Sequence, residues 1–406
     1  MSTTREQGEA RIAWAVAHMP LLNRIREGFL AETPFAGKKI AMSIHLEAKT
    51  ACLAILLRDG GAAVAVTGSN PLSTQDIIAE ALAEYEGISV YARHGATETE
   101  YTQHLRDTLS FGPDMILDDG GDLLQILLDE PQSQVIGGCE ETTTGVARLR
   151  ILDRDGRLPF PMFAVNDARL KFLFDNRYGT GQSTWDAILR STNLLIAGKN
   201  VVVVGYGWCG RGIALRAQGL GARVTVCDVD PVRALEARMD GFDVTTVVDA
   251  LTRADFVVTA TGCADAVPED ALRTAKDGVL LSNAGHFNVE VRPEVLERMS
   301  ASQREARPGI IEYTMSDGRR LYLMGEGRLV NLVLGDGHPV EIMDLSFAVQ
   351  ALTLRYLLEH APLPAQLLSV PAEIDDLVAR TKLETLGITI DRLTAEQLTY
   401  LGIQEE

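Results

Sequence analysis

The chain has 406 residues and a net charge of -18, with 38 lysines plus arginines against 56 aspartates plus glutamates, a balance that repels a phosphate backbone and excludes nucleic acid as a partner. At roughly 100 to 200 residues per domain, this length predicts two or three domains with a core that needs no disulfide staple. A composition 46% hydrophobic and 23% charged, with no apolar run of bilayer length, excludes a helical membrane protein.

The start, MSTTREQGEARIAW, lacks the basic flank and apolar stretch of a secretory signal, so a cytoplasmic chain is expected. Cys52, Cys139, Cys209, Cys227 and Cys263 are scattered, with no CxxC pair and no histidine at zinc-ligand spacing. They read as reduced thiols, and no metal site is expected.

From Lys38 the sequence alternates β-rich runs with helical periods: KKIAMSI, LEAKTACLAILLRDG, AAVAVTG, STQDIIAEALAEY, ISVYAR. That alternation predicts parallel βαβ units. After PDMILDD comes GGCEETTTG, too hydrophilic for a buried strand and poor in helix formers, which is placed on a loop at a strand end. FDNRYGTGQSTWDAILRSTN reads as a turn-rich piece followed by an amphipathic helix, the pattern of a hinge. A second α/β series starts at KNVVVVGYGWCGRG, and GDGHPVEIMD suggests a crossing back. The expected architecture is α/β: two doubly wound parallel-sheet domains joined by hinges, plus a short C-terminal segment. Residues 1–179, with 340–375 returning, form a substrate domain, residues 180–339 a Rossmann NAD domain, and residues 376–406 the C-terminal segment.

Gly205, Gly207 and Gly210 form G-x-G-x-x-G between the strand VVVV and the helix RGIALRAQGLG. Such glycines let backbone N–H groups and a helix N-terminus approach a pyrophosphate. A second strand, RVTVCD, ends in Asp228, whose carboxylate suits ribose hydroxyls and repels a 2′-phosphate, so NAD is favoured. Arg233 close behind keeps NADP open.

HLEAKT, NPLSTQD, ILDDGGD, EETTTG, VNDARLKFLFDNRYG, GYGWCGRG, NAGHFNVE, EGRLVNL and GDGHPVEIMD follow in that order. Together they resemble the adenosylhomocysteinase (S-adenosyl-L-homocysteine hydrolase) family over nearly the whole chain, most closely its short branch bearing HLEAKT. The resemblance implies a redox-neutral hydrolysis with one tightly held NAD per subunit. Oxidation of the ribose 3′-hydroxyl acidifies the 4′-proton, homocysteine leaves from the 5′-carbon, water adds, and the ketone is reduced back.

Carried over by motif, Lys171 and Asp175 belong beside the 3′-hydroxyl, His45 and Asp119 serve proton transfer near the 4′- and 5′-carbons, and Glu141 binds the ribose hydroxyls. Asn166 shares that shell, while His286 and His338 line the nucleoside and homocysteine end, with His338 at a gate beside Gly337. Leu329, Leu332 and Met343 match contacts to the base. Thr142, Thr143, Thr144, Trp208, Cys209, Thr261, Gly262, Ala284, Gly285, His286 and Asn331, together with Asn176, match cofactor contacts outside or around the glycine turn.

Glu47 and Lys49 depart from the better-known branch. A lysine can only donate and suits the 6-oxo group of hypoxanthine, so S-inosyl-L-homocysteine competes if Lys49 points into the pocket. If Glu47 and Lys49 instead pair with each other or face solvent, adenine specificity can survive through backbone contacts. Thr180 replaces a cysteine, and Arg233 an asparagine. The ending LGIQEE replaces a basic tail, which bears on NAD retention and on whether the expected homo-oligomer is a tetramer or a dimer. Adenosine or inosine and homocysteine are the implied small-molecule partners. A plain NAD-dependent 2-hydroxy-acid dehydrogenase, a non-catalytic NAD or nucleoside binder, and an enzyme diverting the 3′-keto intermediate to another nucleoside stay open.

Overall fold

The computed structural model describes residues 4–403; residues 1–3 of the polar start and 404–406 of the ending LGIQEE lie outside it. The first sheet is built from β1 (Lys39–Ser43), β2 (Ala63–Thr67), β3 (Ile88–Val90), β4 (Met115–Asp118), β5 (Gly137–Glu140) and β6 (Met162–Ala164). A late strand, Leu367–Ser369, adds to its edge beside β6, and every pairing in this sheet is parallel. The order from the far edge is Leu367–Ser369, β6, β5, β4, β1, β2, β3. Chain direction therefore reverses its march between β4 and β1, and ligands gather in the crevice at the carboxyl ends of such strands.

The second sheet contains β7 (Asn200–Val204), β8 (Arg223–Cys227), β9 (Asp243–Val244), β10 (Phe256–Thr259), β11 (Val279–Asn283), β12 (Ser300–Arg307), β13 (Ile310–Met315) and β14 (Arg320–Met324). Its order is β12, β13, β14, β11, β10, β7, β8, β9, with a second reversal between β10 and β7. Val201 and Val203 pack into one apolar cluster and Val202 and Val204 into another on the opposite face. A β-branched run buried on both faces is what a central parallel strand requires. One edge departs from the expected parallel order: β12 to β14 form an antiparallel meander. Gly309 and Gly318, both at positive φ, make its turns.

Two expectations are corrected. In GGCEETTTG, residues Gly137–Glu140 are a fully buried strand and Thr143–Arg154 a helix. The hydrophilic strand end survives burial because Glu140 accepts from Gly120 N–H and Thr142 N–H, both at 2.9 Å, and from the Thr142 hydroxyl at 2.8 Å. In the first crossing, Lys171–Gly179 is a π-helix running directly into the α-helix Thr180–Thr192, where turns were expected. Asp175 and Asn176 look like turn residues, but their side chains reach sideways to Ser346 and Asn166 and do not compete with the backbone.

That crossing helix is pressed against the helix that follows β7. A Cβ on Gly181 would lie 2.6 Å from the Gly212 carbonyl carbon, and one on Gly212 would meet the Arg177 carbonyl, so only glycines allow the approach. The second crossing is the helix Val340–His360, whose Phe347, Val349, Leu354 and Leu357 enter the core of the first sheet. Asp344 on it is fully buried, accepts from the N–H groups of Leu21 and Leu22, and pairs with Lys382 at 2.6 Å. It thereby ties the N-terminal helix Pro20–Glu32 and the helix Ala372–Thr385 to the crossing. Among the described residues no helix is long and apolar enough to cross a membrane.

Candidate active site

Strand register places the polar cluster. Ser43 pairs with Asp118, Asp118 with Glu140 and Glu140 with Ala164, so these four strands end level with one another. The residues just beyond, His45, Asp119, Glu141 and Asn166, consequently emerge side by side into a cavity of about 490 Å³. From the other sheet, the ends of β7, β10 and β11 deliver Gly207, Thr261 with Gly262, and Ala284 with Gly285 and His286 to the same cavity. The first crossing contributes Lys171, Asp175, Asn176 and Thr180, and the second Gly337, His338 and Met343. Glu47, Lys49, Thr142, Thr143, Thr144, Trp208, Cys209, Arg233, Leu329, Asn331 and Leu332 also line it.

Three predicted residues stay out of the lining. Gly205, at φ +97°, turns under Ala260, whose carbonyl oxygen lies 2.7 Å from where a Cβ would be. Gly210 seats the helix Trp208–Gly219 on the Gly205 carbonyl. Asp228 accepts from Tyr206 N–H at 2.6 Å and Asp230 N–H at 2.9 Å, so here its carboxylate shapes the glycine turn.

Lys171 is the centre of the first-crossing group. Its Nζ lies 3.0 Å from Glu141 Oε1 and 3.1 Å from Asp175 Oδ1, and it donates to Asn176 Oδ1 at 3.1 Å. The Asn176 contact is a hydrogen bond, while Glu141 Oε1 and Asp175 Oδ1 flank the ammonium as ion-pair partners. Burial alone would lower its pKa, but Asp175 and Glu141 outweigh burial and raise it. Burial likewise opposes ionisation of Asp175, yet Lys171, His338 and Ser346 hold its pKa below the ordinary carboxylate value. Glu141 shifts upward, chiefly by burial, and so is the readier of the two carboxylates to take a proton. The i,i+4 pair of the sequence is therefore a buried one.

Two residues of the second crossing helix support these carboxylates. Ser346 donates to Asp175 at 2.6 Å, and Gln350, one turn later, donates to Glu141. His338 Nδ1 lies 2.7 Å from Asp175 Oδ1 and its Nε2 3.3 Å from the Thr180 hydroxyl, joining the two crossings.

Across the cavity His45 Nε2 lies 3.4 Å from Asp119 Oδ2, and His286 Nδ1 3.8 Å from Asp119 Oδ1. Burial lowers the His45 pKa to about 4 despite the opposing Asp119 charge, leaving a neutral ring at pH 7. Ser73 holds His45 Nδ1 at 2.7 Å and Ser69 donates to Asp119 at 2.9 Å.

The glycine turn fits a dinucleotide. The helix Trp208–Gly219 begins at Gly207 with no side-chain cap, leaving N–H groups for an anion, and a Cβ on Gly207 would protrude beside Arg233. Asn331 donates to Ser183 at 3.0 Å, while its buried Oδ1 has no protein partner. Phe172 stacks on Trp208 at 5.2 Å, bridging first crossing and turn. Glu290 accepts from Thr261 N–H, the Thr261 hydroxyl and Gly262 N–H at 2.7 to 2.9 Å, and Asn283 donates to the carbonyls of Gly285, Phe287 and Gly327.

Sequence reasoning assigned no role to Ser69, Ser73, Phe172, Asn283, Glu290, Ser346 or Gln350. Ser73, Phe172, Asn283 and Glu290 do fall inside NPLSTQD, VNDARLKFLFDNRYG and NAGHFNVE, which is the signal that could have found them.

Fold and site together define a two-domain, dinucleotide-dependent enzyme with acid–base groups on both sides of its cleft. Residues 2–139 match the family model for S-adenosyl-L-homocysteine hydrolase and residues 176–337 that for its NAD-binding domain. The chain is 56% identical over 398 residues to the adenosylhomocysteinase of Thermotoga maritima, covering 97% of this chain and 98% of that protein. It is 53% identical over 400 residues to that of Archaeoglobus fulgidus, covering 98% of each. It is also 52% identical over 400 residues to the S-inosyl-L-homocysteine hydrolase of Methanocaldococcus jannaschii, covering 98% and 96%. The chain belongs to the adenosylhomocysteinase family of NAD-dependent hydrolases.

Proposed function

We propose that the chain catalyses the reversible hydrolysis of S-adenosyl-L-homocysteine to adenosine and L-homocysteine. The observation that carries this reading is Lys171 held between Glu141 and Asp175 on one wall, with the neutral His45 and Asp119 on the other. A plain dehydrogenase needs acid–base groups at one carbon, whereas this cleft holds them at two places.

The uncapped turn at Gly207, with Thr261, Gly262 and Asn331, would hold NAD, which supplies the hydride acceptor and donor for the ribose 3′-carbon. Lys171 passes a proton to Glu141 Oε1, its neighbour at 3.0 Å, and the neutral amine then accepts the proton of the 3′-hydroxyl. Asp175, kept anionic, orients that amine. Asn166 and Asn176, linked at 3.0 Å, fix the ribose side of the wall. His45 accepts the 4′-proton and returns a proton to the leaving sulfur, and Asp119 stabilises the imidazolium formed. His338 and Gly337 close the homocysteine end, and Leu329, Leu332 and Met343 flank the base. Incubation with adenosine in deuterium oxide tests this directly: deuterium appears at C4′ in wild type, and its absence from recovered adenosine in an NAD-loaded preparation refutes the 3′-oxidation.

The S-inosyl compound is the second reading, favoured by a specific observation. Lys49 is buried in the cavity, with Nζ 2.7 Å from Glu47 Oε2 and 2.8 Å from the Asp336 carbonyl. Both conditions set by the sequence are therefore met at once: the lysine faces the pocket and is paired. Glu47 also caps the helix Ala48–Asp59, accepting from Lys49 and Thr50 N–H, which leaves it little capacity for a 6-amino group. One N–H of Lys49 is left over, suited to a 6-oxo group.

We further infer a cytoplasmic homo-oligomer, tetramer or dimer, with NAD tightly held in each subunit. In support, all five cysteines are free, and Leu386, Ile388, Ile390, Leu393 and Tyr400 present exposed apolar side chains near the C-terminus. The domain division at 179/180 and 339/340, with 340–375 returning to the first domain and 376–406 as a C-terminal segment, and hinges near Tyr178 and Gly337, accord with the two helical crossings.

A further inference from the structure

Glu140 ends β5 one residue before Glu141 and is fully buried, yet it stays out of the cavity lining, because successive side chains point to opposite faces of a strand. Its Oε1 accepts from Gly120 N–H at 2.9 Å, and from the N–H and hydroxyl of Thr142 at 2.9 and 2.8 Å. Gly120 directly follows Asp119, and Thr142 directly follows Glu141. One oxygen thus joins the turn that carries the partner of His45 to the turn that carries the partner of Lys171. Oε2 is buried without a hydrogen-bond partner, so the joining rests on Oε1 alone. Asp118, the buried carboxylate paired with Glu140 on β4, serves only its own turn, accepting from the N–H groups of Asp119, Leu123 and Leu124.

We propose, on the hydrolase reading above, that Glu140 is a positioning residue for the reaction, setting the separation of Asp119 and Glu141 and with it the spacing of the two acid–base walls. The chain leaves room for this carboxyl. A Cβ on Gly145 would lie 2.1 Å from Glu140 Cδ, so the helix Thr143–Arg154 seats its first turn directly on it. Thr142 is fixed from both sides, since its hydroxyl donates to Glu140 and accepts from Gly145 N–H at 2.9 Å. Gly120 is fixed likewise: its N–H goes to Glu140, and its carbonyl accepts from Arg148 Nη1 at 2.8 Å. A Cβ on Gly120 would stand 2.6 Å from His286 Nε2, so the same peptide also seats the histidine of the NAD-binding half. Burial, with the neighbouring Asp118 charge, pushes the Glu140 pKa well above the ordinary carboxylate value. An accepting oxygen at this reach is therefore the requirement, and a negative charge is not. A misplacement of about 1 Å in a catalytic group costs about a hundredfold in rate.

The test uses the full chain loaded with NAD, with thiol release, NAD reduction on adding adenosine, and deuterium exchange at C4′ each measured per NAD-loaded chain. Glu140→Asp leaves the carboxyl one methylene short of both turns, and Gly145→Ala pushes it aside from the helix. Expected in both is a kcat at least about tenfold lower with KM within about threefold of wild type. NAD reduction, which reads the Glu141 wall, and C4′ exchange, which reads the Asp119 wall, slow together. Glu140→Gln keeps the accepting oxygen and restores kcat to within about threefold of wild type. Retained NAD and a melting temperature near that of wild type qualify each variant, and either Glu140→Asp or Gly145→Ala decides alone where the other fails to fold. The proposal is overturned by a wild-type kcat in a qualified Glu140→Asp or Gly145→Ala, by slowing of only one of the two partial reactions, or by a Glu140→Gln chain as slow as Glu140→Asp. A wild-type preparation that retains NAD and releases no thiol overturns the hydrolase reading itself, an outcome distinct from any difference between variants.

Discussion

Ser346 Oγ donates to Asp175 Oδ2 at 2.6 Å, linking the second crossing helix to the first at the carboxylate that holds Lys171. With Gln350 on Glu141, both carboxylates around the lysine are set by the same helix. The cation and its anions are therefore aligned only when that helix is docked.

Ser346→Ala leaves the Asp175 carboxylate short of one donor. A bond to a buried charge is worth about 1.5 to 3 kcal/mol, so the kcat for thiol release falls by about tenfold to a hundredfold. KM and NAD content stay at wild-type values, and Ser346→Thr restores part of the rate. A change in KM alone would show that Ser346 only shapes the pocket.

Lys171→Met keeps NAD bound but abolishes its reduction on adding adenosine, followed by absorbance of the reduced nicotinamide. The same variant is destabilised by about 3 to 5 kcal/mol in denaturant titration, because Glu141 and Asp175 are left without a counter-charge. Persistent full reduction removes Lys171 from the oxidation step.

Acid weakens the fold through Asp175. Its pKa in the folded chain lies below its ordinary value of 3.8, so its contribution is present above that pH and is lost as pH falls toward the folded value. Asp175→Asn is less stable than wild type at pH 7, and the difference narrows below about pH 4. Stability curves with the same pH slope in both proteins would contradict the assignment.

Lys49→Met loses the free donor at the Glu47 end of the cavity. The kcat/KM for S-inosyl-L-homocysteine falls by about tenfold or more relative to S-adenosyl-L-homocysteine. An unchanged ratio makes Lys49 a structural brace between Glu47 and the Asp336 carbonyl.

Asp228→Ala weakens NAD retention in dialysis, through loss of the ribose contact expected of its carboxylate and through release of Tyr206 and Asp230 N–H from the turn. Retention equal to wild type counts against both roles.

Much of this was legible because strand ends are legible. Apolar runs such as VVVV fixed where β7 stops and its glycine turn begins, and the polar residues just after β1 and β4, His45 and Asp119, line the site. Residues 137–145 misled because a strand ending in a buried glutamate, Glu140, is tolerable only with the Gly120 and Thr142 donors, which lie off the strand in sequence. Asp175 and Asn176 suggested a turn because local spacing does not reveal sideways partners on another helix. The hairpins of β12 to β14 had signals in R-P-G and S-D-G, overlooked because β12 is polar and exposed along nearly its whole length and so lacks the alternation of a half-buried strand. Ser346 and Gln350 carry no local mark; only the docking of their helix gives them partners.

The most direct measurement is free-thiol release by the NAD-loaded chain offered S-adenosyl- and S-inosyl-L-homocysteine in separate reactions, beside Lys171→Met. Thiol from at least the adenosyl substrate with wild type, and none with Lys171→Met, is the predicted result. No thiol from either substrate by a wild-type preparation that retains NAD contradicts it.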